Sequence, residues 1–465
     1  MKKLFSKMRV EQDAAFYKAV FSLALPLALQ SLFTFAVTSI DSIMLGSLGE
    51  IPMSVSNIAN QPFTVVSGIL RGFVLGACVL VAQFWGKKDT KSIKTVLATS
   101  IRYSMLLGAV ATVAVFCFPA TIMNIFTKDQ QVISLGIRYL QIVAFSYVLF
   151  GFSTNYLLAL RSMENAKLPF LINVVSYSIN ILLDYAFIFG KFGLPQMGIT
   201  GVAIGTLMAR CVEFAICFGH MMFKNKKLGF VPRDLFRKDK ELTRTLFKYG
   251  IPSTLSEAVF NLGSAAYAVV FGHLGTVAIS ANTIAEVVTR ITQVMMSGIS
   301  GASAVLIGKT IGEGDLKRAK LQVRSFNVLN MTACVISMVL LVFLKDFVIS
   351  LYNVTPETKA LAAKMVMMAI VTMVGRGFEV LYVCGILVGG GDTKYIFWYT
   401  TAVMWGLVMP AAFISAFVIG LAPHWVYLIL KMDFVIKSVI GYFRTRGDKW
   451  MKEVTKEQPE QLKEA

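Results

Sequence analysis

Two carboxylates stand where carboxylates are expensive. Asp41 ends a ladder of Gln30, Thr34, Thr38 and Asp41, spaced by four, four and three residues inside an apolar run. Asp184 ends a second ladder, Asn173, Tyr177, Asn180 and Asp184, spaced by four, three and four. Both spacings place the polar set on one face of a helix. If the faces meet, the two carboxylates, the Asn180 amide oxygen and a hydroxyl form an oxygen shell suited to Na⁺. A shared proton would relieve the same repulsion. The plainer reading is that each aspartate hydrogen-bonds its own helix turn. The cost of an acid inside an apolar segment favours function.

Other segments carry polar faces too. Asn57, Asn60, Thr64, Ser67 and Arg71 fall on one side of a helix, as do Thr283, Glu286, Arg290, Gln293 and Ser297. Glu286 and Arg290, four apart, could neutralise each other, as could Arg210 with Glu213 and Arg376 with Glu379, three apart. Glu257 and Arg71 have no opposite charge one turn away. The candidate substrate-cavity residues are therefore Gln30, Thr34, Asn57, Thr64, Arg71, Asn173, Tyr177, Glu257, Glu286 and Arg290.

The elements that position these residues are membrane helices. Hydrophobic residues make up 56% of the chain and charged ones only 15%, against about 25% charged in soluble domains. Apolar runs such as 105–118 and 335–344 do not alternate, which excludes barrel strands. Twelve helices are predicted near 15–47, 53–84, 96–125, 132–160, 166–190, 197–222, 247–271, 277–308, 325–351, 359–388, 394–419 and 423–444. The start of the chain, Met1 to Asp13, is polar and is not expected to act as a cleaved signal.

A net charge of +19 invites a nucleic-acid reading, but its distribution does not. Lys2, Lys3, Lys7 and Arg9 precede the first helix. Lys87, Lys88, Lys91 and Lys94 follow the second, and nine basic residues fill 223–248. Every strongly basic break falls on one face, so both termini are expected in the cytoplasm. The partners expected are the lipid bilayer and a small organic substrate, with no nucleic acid. Six single cysteines and three scattered histidines provide no metal spacing, and no cofactor is expected.

The chain also matches itself. At an offset of 226, Pro26 meets Pro252, Gly49 meets Gly275, Gly72 meets Gly298, Gly86 meets Gly312 and Asp89 meets Asp315. Lys167 meets Lys394 at 227. Six helices per repeat give two halves of the same orientation, the parallel arrangement compatible with alternating access. The division predicted is a cytoplasmic segment 1–14, a six-helix bundle 15–222, a basic linker 223–246, a second bundle 247–445 and a polar, mobile tail 446–465. The fold class is thus all-α integral membrane, two six-helix bundles related by an internal repeat.

No nucleotide site is legible. Gly308-Lys309-Thr310 imitates the end of a P-loop, but Ser303 stands where its first glycine belongs. Energy must then come from an ion gradient or a partner chain.

The order of motifs resembles the multidrug and toxic compound extrusion (MATE) family over nearly the full length. It is carried by Pro26, the run Asp41 to Gly49, Val81 to Gly86, Asn180 to Asp184 with Phe189-Gly190, Gly201 to Thr206, Gly250 to Ser253, and Gly390 to Thr393. The resemblance implies antiport of Na⁺ or H⁺ against amphipathic, often cationic organic compounds. It implies Asp41, Asn180, Asp184 and Thr206 as the cation-coupling residues. One branch of the family places a glutamate about eight residues past the proline of its seventh helix, where this chain has Phe260. Glu257 is nearly one turn earlier. A coupling site is therefore expected in the N-terminal half. A multi-pass protein of the plasma membrane, acting as a monomer and not as an enzyme, follows. The competing readings are a lipid-linked sugar flippase, which Arg71, Arg290 and Arg376 keep open, and a membrane-embedded enzyme, to which the scattered histidines give little support.

Overall fold

In a computed structural model of the protein, residues 10–225 and 227–456 are described. The early basic residues Lys2, Lys3, Lys7 and Arg9, together with Lys226 and 457–465, lie outside them. The described chain is helical, with no strand. Its helices are α1 (Ala14–Gly46), α2a and α2b (Glu50–Ala59, Gln61–Gly86), α3a and α3b (Thr90–Cys117, Pro119–Phe126), α4a and α4b (Gln130–Val143, Ser146–Ser162), α5 (Lys167–Phe189) and α6 (Gly198–Gly219). There follow α7 (Lys240–His273), α8a and α8b (Thr276–Thr292, Val294–Gly312), α9 (Leu316–Ser350), α10 (Pro356–Gly389), α11 (Thr393–Val418) and α12 (Pro423–Arg446).

Among the described residues ten helices are long and apolar enough to span a bilayer, or eleven when α4a and α4b, bent by 47°, count as one. The fourth predicted span is therefore two segments. α12 completes the twelve. Its lower apolarity comes from Lys431, Asp433 and Lys437, all within its middle turns. Large apolar side chains such as Ile43, Phe343 and Val371 are more than 70% exposed, as a lipid-facing surface requires.

The repeat is visible in local structure. Asp89 caps α3a by accepting from the Ser92 N–H at 3.0 Å, and Asp315 caps α9 by accepting from Arg318 N–H at 2.9 Å. Each side chain satisfies an otherwise unpaired first-turn donor. Gly49 and Gly275 lead into α2a and α8a at φ of 107° and 98°, a conformation open to glycine. Gly72 of α2b abuts α7, where an added Cβ would stand 2.6 Å from the Thr254 Cα. Gly298 of α8b, its repeat equivalent, abuts the Ala24 carbonyl of α1 just as tightly.

The chain forms two compact units. The N-terminal unit holds 29–81 and 89–254; the C-terminal unit holds 10–28, 82–88 and 255–456 of the described residues. In the first, α3a packs on α4b and α5 on α6, around a core that includes Val55, Tyr139, Leu140 and Ala203. In the second, α10 packs on α12, α9 and α8a around Ala281, Met365, Val366 and Tyr427.

Two connections are more ordered than their polarity suggests. In the basic linker, a short helix Pro232–Phe236 is pinned through buried Asp234. Its carboxylate accepts from the Val231 N–H at 3.0 Å and meets Lys94 at 3.3 Å and Arg237 at 2.8 Å. Burial opposes ionisation of Asp234, but the Val231 N–H, Lys94 and Arg237 outweigh it and hold the carboxyl below its ordinary range. The tail, expected to be mobile from Arg446, is docked as far as 455. Trp450 is fully buried against Gly390. Lys452 N–H donates to the Gly390 carbonyl at 2.8 Å, and Gln83 bonds both the Lys452 carbonyl and the Val454 N–H. Apolar Trp450, Met451 and Val454 supply the driving force that the charge count hides.

Candidate cation site and paired cavities

α1 and α5 bring their aspartates to one cavity of about 250 Å³ in the N-terminal unit. Thr34, Thr38 and Asp41 of α1 line it, with Tyr177, Asn180 and Asp184 of α5 and Thr206 and Arg210 of α6. The two ladders therefore face a shared space, and the Asp41 and Asp184 charges lie within electrostatic reach of each other.

Of the two carboxylates, Asp184 is half-satisfied. Asn180 Nδ2 donates to Asp184 Oδ2 at 3.0 Å. Asp184 Oδ1 and Asp41 Oδ1 are both buried and have no hydrogen-bond partner. A buried acceptor left this way costs free energy unless a donor or ion completes it. Glycine makes the approach possible: a Cβ at Gly205 of α6 would collide with Asp184 Oδ1. The one base on the cavity wall is committed elsewhere. Arg210 Nη1 donates to Glu213 Oε2 at 2.6 Å, and its guanidinium lies 5.2 Å from the Phe150 ring centroid.

Among the described residues no three His, Cys, Asp or Glu side chains come together, so further ligands here have to be neutral oxygens. The Asn180 carbonyl, the Thr206 hydroxyl and the hydroxyls of Tyr139 and Tyr177 are available on the walls. Two acids plus neutral oxygens suit a hard monovalent ion or a proton.

Not every polar face points here. Gln30 accepts from Arg161 Nη2 at 2.6 Å, and Asn173 is buried away from this cavity. Asn57 is exposed, and its neighbours Ser56 and Asn60 line the cavity instead. Thr64 returns its hydroxyl to the Asn60 carbonyl at 3.1 Å. Arg71 is exposed and makes no ion pair among the described residues. Sequence reading missed Tyr139, whose hydroxyl donates to Asn60 Oδ1 at 3.4 Å, and Ser146. Both sit on α4, where the bend between α4a and α4b hides their common face.

The C-terminal unit has a counterpart cavity of about 290 Å³, lined by Glu257 of α7, Gln293 and Ser297 near the α8 break, Arg376 and Glu379 of α10, and Lys437 of α12. Arg376 donates to Glu379 at 2.8 Å and its guanidinium lies 4.4 Å from the Phe434 ring centroid. Lys437 donates to Asp433 at 2.7 Å, both side chains being at most 3% exposed. Glu286 pairs with Lys431 of α12 and not with Arg290, which is exposed. The sequence suggested the Arg210–Glu213 and Arg376–Glu379 pairs through three-residue spacing. The Glu286–Lys431 pair is formed between helices and leaves no local signature.

The pattern of the MatE family matches residues 26–186 and 252–414, one match in each half of the repeat. The chain belongs to the MatE family. It is a multi-pass membrane transporter, and its family handles small organic molecules. Similar proteins include an uncharacterized transporter, YisQ, of Bacillus subtilis, 23% identical over 96% of this chain and 98% of its own length. The probable multidrug resistance protein NorM of Thermotoga maritima is 25% identical over 96% of both chains. Among solved structures, an outward-facing multidrug resistance MATE transporter superposes with a TM-score of 0.86 at 17% identity, covering 97% of this chain and 98% of that one. At that identity the likeness speaks for the MatE fold alone. The six-plus-six repeat expected from the 226-residue offset is thus the family's own architecture.

Proposed function

We propose that this MatE transporter exports amphipathic, often cationic organic compounds in exchange for Na⁺ or H⁺, with Asp41, Asn180, Asp184 and Thr206 holding the coupling ion. The observation that carries this reading is the pair of buried, unpartnered carboxylate oxygens on Asp41 and Asp184, facing one cavity without an uncommitted base. An acid kept charged in low dielectric needs a counter-charge. A diffusible cation supplies it, and its arrival or departure changes what the cavity can hold. The multidrug resistance relative supports the substrate class by analogy. Alternating access of the two repeats, with the protein in the plasma membrane, both termini cytoplasmic, and a monomer as the working unit, belongs to the same reading.

The test is efflux of ethidium from proteoliposomes under separately imposed Na⁺ and proton gradients. Efflux driven by one gradient supports the proposal and identifies the ion. Well-folded protein that moves ethidium under neither gradient contradicts it and favours a narrower substrate or a lipid-linked one.

A further inference from the structure

The two cavities are lined by repeat-equivalent helices, and Arg210 and Lys437 hold equivalent places on their walls, but the acids about them are neutralised differently. At the 226 offset Tyr267 of α7 stands where Asp41 stands in α1. At the 227 offset that aligns Lys167 with Lys394, Asp433 and Lys437 of α12 stand where Thr206 and Arg210 stand in α6. The ion-facing carboxylate has thus moved from the first helix of its repeat to the last, and a lysine sits one turn beyond it. Lys437 Nζ reaches Asp433 Oδ2 at 2.7 Å with both side chains buried. Glu379, beside them, is bound by Arg376.

We propose that Lys437 is a resident counter-ion: its tethered ammonium takes, in the C-terminal unit, the role that a diffusible cation takes at Asp41 and Asp184, so this transporter exchanges ions through its N-terminal unit alone. The inference deepens the coupling proposal and rests on it. An ammonium is a compact point charge with three donors. Placed against a carboxylate it fills the space and the electrostatic need of a monovalent ion, but it cannot leave. Of the other charged groups about the pair, Glu257 of α7 lines the same cavity as Lys437. Arg376 and Glu379 of α10 cancel each other, and Tyr267 of α7 and Tyr399 of α11 are neutral hydroxyls. Asp433 Oδ1 is buried and has no hydrogen-bond partner. It is the acceptor that an incoming ion would use once the ammonium is removed.

The experiment is ion binding to the purified full chain, read as heat on titration with NaCl and as proton uptake with an indicator dye. Wild type should bind about one ion, and Asp41→Asn none. Lys437→Gln should add a second site that survives Asp41→Asn and disappears in Asp433→Asn/Lys437→Gln. An Asp41→Asn protein that still binds an ion, with that binding lost on Asp433→Asn, overturns the proposal. That comparison leaves Lys437 in place, so it decides the matter even where Lys437→Gln fails to fold. If wild type binds nothing while Lys437→Gln binds an ion, the coupling reading at Asp41 fails and the resident counter-ion stands.

Discussion

The two cavities of this transporter are of similar size, about 250 and 290 Å³, and are lined by equivalent helices, yet they handle charge in opposite ways. In the N-terminal unit Arg210 is spent on Glu213, and Asp41 and Asp184 line one cavity, each with an unfilled acceptor. In the C-terminal unit Glu379, Asp433 and Glu286 each have a basic partner. A duplicated scaffold can therefore keep a polar cavity in both halves while setting bases of the chain against its buried aspartate in only one of them. A buried charge needs compensation from somewhere. Where the chain itself supplies it, the site is structural; where it does not, the site is open to a mobile ion.

The largest effect that would sharpen this contrast is expected from Asp184→Asn. It removes half of the uncompensated charge, and ion-driven transport should fall by about 100-fold or more, the scale of about 3–5 kcal/mol for breaking a buried charge pairing. Flux assays in proteoliposomes check it, and near-normal flux would place coupling elsewhere. Gly205→Ala is the next. Its Cβ would press on Asp184 Oδ1, costing about 1–3 kcal/mol of overpacking. Ion affinity should drop by about tenfold or more, while Gly→Ala at Gly219, where an added Cβ meets nothing within 4 Å, should leave it unchanged. Glu213→Gln would make the N-terminal cavity resemble its counterpart. Freed Arg210 could then turn to Asp184 and compete with the ion, weakening binding by roughly tenfold, about 1.4 kcal/mol. Unaltered affinity in that variant would break the proposed link between committed bases and ion binding.

The smallest effect concerns a pairing outside the membrane. Asp234 is held ionised by the Val231 N–H, Lys94 and Arg237, so its folded value lies below its unfolded one. Its stabilisation is complete above the unfolded carboxylate range near about 4 and fades as pH falls through the depressed folded value. Asp234→Asn should loosen the short linker helix, seen as faster hydrogen exchange at 229–237. Transport should change little.

Much of this was legible in the sequence because membrane helices leave few ambiguities. The apolar runs located the spans, and Pro26/Pro252, Gly72/Gly298 and Asp89/Asp315 disclosed the repeat, the glycines and aspartates because each does a local steric or capping job that recurs. The ladders ending in Asp41 and Asp184 were readable because helix periodicity fixes a face. Three features escaped. Tyr139 and Ser146 join the cavity only through the bend of α4. Lys431 reaches Glu286 from a distant helix, so nearest-neighbour spacing pointed to Arg290. The docked tail depends on Trp450 fitting over Gly390, a packing event invisible among its charged neighbours.

The most direct test is Asp41→Asn measured two ways in the same proteoliposomes: substrate exchange at equilibrium, and substrate efflux driven by the coupling ion. Exchange is expected to survive, because equilibrium exchange needs no net movement of the coupling ion, while ion-driven accumulation disappears. Ion-driven efflux at the wild-type rate would contradict coupling at Asp41.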